Sequence, residues 1–162
     1  MDLKLNNKVA FIAGSSKGLG YAIAKLLLEE GATVIINGRS QEKLAQASSL
    51  LSSLFPDRVF VFPGDVTALK FSEDLFEFIQ NKFGQLNILI TNSGGPAPAE
   101  FESISDSSWQ NAFELNFMSH VRLIRTILPL MKSTPEANVL TITSSSVKQP
   151  IPNLILSNSI RA

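Results

Sequence analysis

Val9-Ala10-Phe11-Ile12-Ala13-Gly14-Ser15-Ser16-Lys17-Gly18-Leu19-Gly20 is the stretch that decides the fold. Its first five residues are apolar and read as a buried strand. Leu19, Ile23, Leu26 and Leu27 then recur at helical spacing, up to a stop at Gly31. Between strand and helix lies Gly-x3-Gly-x-Gly. Gly14 can turn the chain off the strand, Gly18 can let the backbone approach a pyrophosphate, and Gly20 can let the helix pack closely on the sheet. The free N–H groups of the helix start would face the anion. Three glycines could serve only as a turn, because glycine punctuates many loops. Their position after the first strand and before the first helix favours a nucleotide cradle made of Gly14, Ser15, Ser16, Lys17, Gly18, Leu19 and Gly20.

Outward from that loop, apolar strands and amphipathic helices alternate. Thr33–Asn37, Val59–Phe62, Leu86–Thr91 and Asn138–Thr143 read as further strands. Ser40 can cap a helix with Leu44, Ala47, Leu51 and Leu54 on one face, and Pro56-Asp57 closes it. A third helix carries Phe71, Leu75, Phe78 and Ile79 and stops at Gly84. A long one runs from about Ser105 to Lys132, apolar at Trp109, Phe113, Phe117, Ile124, Leu128 and Met131, with Pro129 kinking or bounding its end. Trp109 and Phe113 read as core. Strands that are apolar throughout and alternate with helices imply an α/β fold, a parallel sheet covered on both faces.

Composition narrows the function. Fourteen basic residues balance fourteen acidic ones, so no charge excess points to nucleic acid or an anionic membrane. Cysteine is absent and His120 is the single histidine, which excludes disulfides, thiolate nucleophiles and Cys- or His-based metal clusters. The opening Met1 to Lys8 is polar without an apolar signal core, and no apolar run approaches the ~20 residues of a membrane span. A cytoplasmic protein is the expectation.

The glycine loop resembles the Thr-Gly-x3-Gly-x-Gly fingerprint of the short-chain dehydrogenase/reductase family, with Ala13 in the threonine position. Further landmarks follow in order. Asp65-Val66 resembles the Asp that bonds the adenine amino group. Asn92-Ser93-Gly94 resembles the Asn-Asn-Ala-Gly motif, with Thr91 replacing its first Asn. Asn116 and Ser144 stand where the family keeps its catalytic Asn and Ser. The resemblance runs from about Lys8 to the last residue. It implies a Rossmann-like, doubly wound parallel sheet of strand order 3-2-1-4-5, and hydride transfer between a nicotinamide and a carbonyl or alcohol.

The cofactor follows from the end of the second strand, where a carboxylate would bond a ribose 2′-hydroxyl and select NAD. Ile36-Asn37-Gly38-Arg39-Ser40 holds no acid. Arg39, with Ser40 beside it as a further cofactor-binding candidate, can pair with a 2′-phosphate and Lys17 can add a second charge, which favours NADP (NADPH) over NAD. The alternative is that both are solvated surface charges.

The catalytic segment departs from the family. A tyrosine normally follows the serine by thirteen residues, with a lysine four further on; here those positions hold Ser157 and Arg161. A serine hydroxyl is a far weaker acid than a phenol, whose pKa is ~10, and arginine stays protonated. Arg161 could still bind the ribose or a substrate anion. A register in which Ser145 pairs with Asn158 would put Ala162 in the lysine position, so Ser144 is preferred. Lys148 is a further cation nearby. Ser157 to Arg161 is similar to a Ser-Asn-x2-Arg variant in members resembling 3-oxoacyl-carrier-protein reductases. His120, one turn after Asn116, could be a pocket proton donor, although a satisfied helix histidine is the simpler reading.

In the family two more strands and a substrate-covering loop follow this point, and dimers or tetramers form through the long helix and the helix that begins near Ser157. On that basis the chain is expected to be a single Rossmann domain, 1–162, truncated at its C-terminus. Three readings stand: an NADPH-dependent reductase of small-molecule carbonyls, homo-oligomeric at full length; a dinucleotide-binding module that has lost its chemistry; and a nonfunctional truncated product. Gly94-Gly95-Pro96-Ala97-Pro98 is expected to line part of a substrate pocket, but fold alone names no substrate.

Overall fold

Val9–Ile12 (β1) is buried at all four positions, and its side chains divide between two cores. A computed structural model describes residues 3–162; Met1 and Asp2, the first of the polar opening, lie outside the described residues. Val9 and Phe11 join Ile35, Leu75, Ile79, Leu89, Leu123 and Ile127 on one face of the sheet. Ala10 and Ile12 join Val34, Ile36, Ile90, Ala24, Leu28, Leu44 and Leu51 on the other. Alternate residues of one strand serve two helix layers, which is why these strands are apolar throughout.

The elements run β1, α1 (Gly18–Glu29), β2 (Thr33–Gly38), α2 (Gln41–Leu54), β3 (Val59–Pro63), α3 (Phe71–Lys82), β4 (Ile88–Thr91), α4 (Asp106–Phe113), α5 (Ser119–Lys132), β5 (Asn138–Thr141) and α6 (Ile155–Ile160). The five strands are parallel in the order β3-β2-β1-β4-β5, as the resemblance implies. β4 begins two residues later than the apolar pattern suggests, because Leu86 and Asn87 serve as a buried anchor: Asn87 Oδ1 accepts from the Val9 N–H at 3.0 Å and its Nδ2 donates to the Pro135 carbonyl at 3.2 Å.

Helix faces differ from the sequence reading in three places. α1 buries Gly20, Ala24 and Leu28, while Leu19 and Leu26 are exposed. A helix lying close on a sheet presents small residues to it, so the largest apolar side chains do not mark its buried stripe. Leu54 is exposed at the end of α2, although Leu44, Ala47 and Leu51 are buried as the spacing predicts. Phe113 is 47% exposed and stacks on Phe117 with ring centroids 5.1 Å apart; it is a surface pair and not core.

The long helix carries a break that helical periodicity does not announce. Between α4 and α5, Glu114–Met118 widens into a π turn. Such a turn disturbs the main-chain ladder, and Ser119 Oγ donates to the Leu115 carbonyl at 2.6 Å. Arg122 pairs with Glu114 across the turn and donates to the Thr67 carbonyl at 3.4 Å, tying the widened turn to the loop after β3. Asn116 sits in the middle of it.

Candidate active site

The C-terminal ends of β1, β2, β3 and β4 open into a cleft of about 560 Å³. Parallel sheets bind ligands at that edge, where the strand order reverses between β1 and β4. Gly14, Ser16, Lys17, Gly18, Leu19, Arg39, Asp65, Val66, Asn92, Ser93 and Gly94 all line it. The remaining three cradle candidates, Ser15, Gly20 and Ser40, do not.

Ser15 is fully buried; its hydroxyl donates to the Ile12 carbonyl at 2.7 Å and accepts from the Asn37 N–H at 2.8 Å. Gly20 lies against the loop itself: a Cβ there would stand 2.5 Å from the Gly14 carbonyl oxygen and 2.9 Å from Ser15 Cα. Ser40 caps α2, accepting from the Lys43 N–H at 3.4 Å. These three hold the loop and its neighbour in place.

Gly14 and Gly18 both sit at positive φ, +56° and +61°, where a side chain would strain the backbone. Nothing lies within 4 Å of where a Gly18 Cβ would be, so the loop is open to the cleft at that point. Lys17 precedes α1 and puts no side-chain cap on it, leaving the first-turn N–H groups free of a side-chain partner.

Asn37 is the residue that sequence reasoning missed. It is buried at the end of β2. Its Oδ1 accepts from the Gly14 N–H at 3.1 Å, and its Nδ2 donates to the carbonyls of Phe62 and Gly64 at 2.9 and 3.2 Å. One amide therefore joins β2, β3 and the glycine loop. A polar residue ending an otherwise apolar strand was the available signal. Asn92 does the same from β4, donating to the Ala13 and Gly14 carbonyls at 3.2 Å each.

Arg39 and Asp65 face one another across the far end of the cleft, Nη1 to Oδ2 at 3.6 Å. Burial pushes the Asp65 carboxyl up, but two hydrogen bonds from Thr67 and the Arg39 charge outweigh it and hold Asp65 below the usual carboxylate value. Asp65 is thus an ionised acceptor.

At the other end, Asn116 is buried and its Nδ2 donates to Ser93 Oγ and to the Gly94 carbonyl, both at 2.8 Å. Its Oδ1 is buried without a protein partner. Ser144 caps the short turn Ser145–Val147, and Ser157 is buried in α6. Arg161 Nη1 donates to the Thr143 carbonyl at 3.2 Å, and a Cβ on Gly95 would lie 3.5 Å from its Nη2. Asn116, His120 and Arg161 line a small cavity of about 250 Å³ with Thr141 and Thr143. His120 Nε2 is buried and unpartnered; burial first, then the Arg161 charge, hold its pKa below the ordinary 6.5, so the ring is neutral near pH 7. Pro96 and Ala97 line a neighbouring cavity of about 260 Å³ with Leu156, and Leu115 borders both that cavity and the main cleft. Lys148 is exposed and lines none of these cavities. Among the described residues no cluster of metal-binding side chains occurs, and no helix is long and apolar enough to cross a membrane.

This chain belongs to the short chain dehydrogenase family, whose model matches residues 8–156. An uncharacterized oxidoreductase of Bacillus subtilis is 36% identical over 157 residues, 96% of this chain and 58% of that protein. L-sorbose reductase of Gluconobacter frateurii, crystallised with NADPH and L-sorbose, superposes with a TM-score of 0.94 at 30% identity, over 99% of this chain and 61% of that one. An NADPH-bound short chain oxidoreductase of Pseudomonas aeruginosa, described as containing an atypical catalytic center, superposes with a TM-score of 0.92 at 31% identity, over 97% of this chain and 62% of that one. The chain therefore spans about three-fifths of the length of these relatives.

Proposed function

We propose that the protein binds NADP(H) in the main cleft and serves an oxidoreductase that interconverts a small carbonyl compound and its alcohol. The observation that carries the cofactor assignment is the far end of the cleft, where Arg39 and Lys17 are present and the segment Ile36-Asn37-Gly38-Arg39-Ser40 at the end of β2 holds no acid. Asn37 has both amide hydrogens committed to Phe62 and Gly64 and its oxygen engaged by the Gly14 N–H, so it serves the loop. Arg39 and Lys17 would hold the 2′-phosphate, the open first turn of α1 the pyrophosphate, and ionised Asp65 with Val66 the adenine. Asn92, Ser93 and Gly94 would line the path toward the nicotinamide, with Asn116 fixing Ser93 and Gly94. The NADPH carried by the sorbose reductase and by the Pseudomonas oxidoreductase supports the same choice.

When bound, the cofactor supplies the two-electron transfer. The chain's own residues polarise and orient. Ser144 would hydrogen-bond the substrate oxygen, Ser157 stands in the tyrosine position, and Arg161 would place a fixed positive charge near the developing oxyanion. Arg161 is partly buried, and burial lowers its pKa from the ordinary guanidinium value, yet a guanidinium stays protonated and exchanges no proton. The resemblance to 3-oxoacyl reductases offers β-keto thioesters as one substrate class among carbonyls. Dimers or tetramers through the α4–α5 face, where Phe113, Phe117 and Leu128 are exposed, belong to the same proposal.

The test is NADPH oxidation by the protein across a panel of ketones, aldehydes and β-keto thioesters. Arg161→Ala should lower turnover about tenfold or more, since a charge-assisted hydrogen bond contributes about 1.5–3 kcal/mol. Turnover unchanged by that substitution removes Arg161 from the site. Saturable NADPH binding without turnover of any carbonyl would support a binding module, the reading that Ser157 and Arg161 favour.

A further inference from the structure

Ser146 is the most enclosed hydroxyl of the run Ser144-Ser145-Ser146, only 2% exposed, and it touches both serines of the reaction end. Its backbone N–H donates to Ser144 Oγ at 3.2 Å, and its hydroxyl donates to the same atom at 2.9 Å. Ser157 Oγ lies 3.3 Å from Ser146 Oγ. The helix that carries Ser157 is fixed in register by Asn158, whose Nδ2 donates to the Ile151 carbonyl at 3.0 Å and whose Oδ1 accepts from the Ile151 N–H at 3.3 Å.

A serine hydroxyl has one hydrogen and two acceptor lone pairs. Ser146 commits its hydrogen to Ser144, so Ser157 must be the donor of the third contact. Ser144 accepts from Ser146 twice, so both of its lone pairs are occupied. Its own hydrogen is what remains for a ligand. The three hydroxyls form a chain of one direction, from Ser157 through Ser146 to Ser144.

We propose that Ser146 is a positioning residue that fixes Ser144 as a hydrogen-bond donor toward the substrate oxygen, with Ser157 polarising it from the far end of the same chain. The inference rests on the reductase reading above and sharpens it. A carbonyl oxygen needs a donor, which Ser144 can be. The same donor would hold the alkoxide-like oxygen of the shared transition state, whichever way the reaction runs. Hydrogen bonds in a directed chain strengthen one another, so Ser157 acts through Ser146 where a tyrosine would act directly. No bond is made or broken at Ser146, and no proton passes along the chain; water supplies the proton that completes the alcohol.

The experiment uses 2,3-butanedione and NADPH with Ser146→Ala and Ser146→Cys. The cysteine variant keeps a γ atom in the site, slightly larger than oxygen, but offers only a weak donor, and it serves as the second variant should the alanine one fail to fold. Both should lose about tenfold or more in kcat, the range for a weakened oxyanion donor, with KM and NADPH affinity held within about twofold. In a Ser144→Ala background, Ser146→Cys should cost nothing further. Wild-type kcat in Ser146→Cys, or losses that multiply in the Ser144→Ala background, would overturn the proposal. A wild-type protein that binds NADPH but reduces neither the diketone nor any carbonyl of the panel removes the reductase reading alone. The hydroxyl chain is then judged by urea unfolding of Ser146→Cys, Ser157→Ala and the double variant. Single shifts in midpoint that do not add support it, and additive shifts overturn it.

Discussion

The nucleotide end of the cleft and its reaction end are built from different material. At the nucleotide end, β1 and β2 are buried almost throughout, and the loop between β1 and α1 is held by main chain and by amides: Asn37 and Asn92 bond the backbone of residues 13 and 14, and Gly20 lies against it. At the reaction end, the site hangs on side-chain hydroxyls and one guanidinium. A main-chain cradle is altered by adding atoms where none fit or by removing the few amides that hold it. A hydroxyl chain is altered by any single exchange. That difference explains how one chain can keep an ordinary glycine loop while carrying serine and arginine in place of tyrosine and lysine.

The comparison breaks most sharply at Gly20. Gly20→Ala places a Cβ against the backbone of Gly14 and Ser15, neither of which can swing away. A loss of about 3 kcal/mol in urea unfolding is expected, the upper end of the overpacking range, together with weakened NADPH binding. A tolerated alanine would mean that the loop is not rigid. Asn37→Ala should follow at about 2 kcal/mol, because the Gly14 N–H and two carbonyls lose their buried partner. The same unfolding assay reads it, and an effect no larger than that of an exposed Asn would contradict the stitching role.

The smallest effect lies at the reaction end. His120 has a folded pKa below its ordinary 6.5, so the unfolded chain binds the extra proton first as pH falls. Stability is full above 6.5 and declines as the pH drops through the folded value. His120→Asn should flatten that acid limb in unfolding measured from pH 7.5 down to about 5. An unchanged limb would assign it to other groups.

Much of the fold was legible because strands buried on both faces are unmistakable in Val9–Ile12 and Thr33–Asn37, and because Gly14, Gly18 and Gly20 occupy the turn between strand and helix. Eleven of the fourteen cradle candidates line the cleft. What sequence concealed was of three physical kinds. Leu19 and Leu26 drew attention by size, yet α1 packs through Gly20, Ala24 and Leu28. The π turn at Glu114–Met118 breaks the 3.6-residue repeat, so Phe113 fell on a face it does not occupy. Asn37 and Ser146 act through hydrogen bonds to residues distant in sequence or out of any periodic pattern, and residue type alone does not announce such a partner.

The most direct test of the account is the affinity of the protein for NADPH against NADH, measured by fluorescence titration and repeated with Arg39→Ala. Charge-assisted bonds to the 2′-phosphate predict that NADPH binds about tenfold or more tightly than NADH, and that the substitution narrows that margin to what Lys17 supplies while leaving NADH unchanged. Equal affinities in the unaltered protein, or a margin undiminished by the loss of Arg39, would contradict the assignment of the cleft.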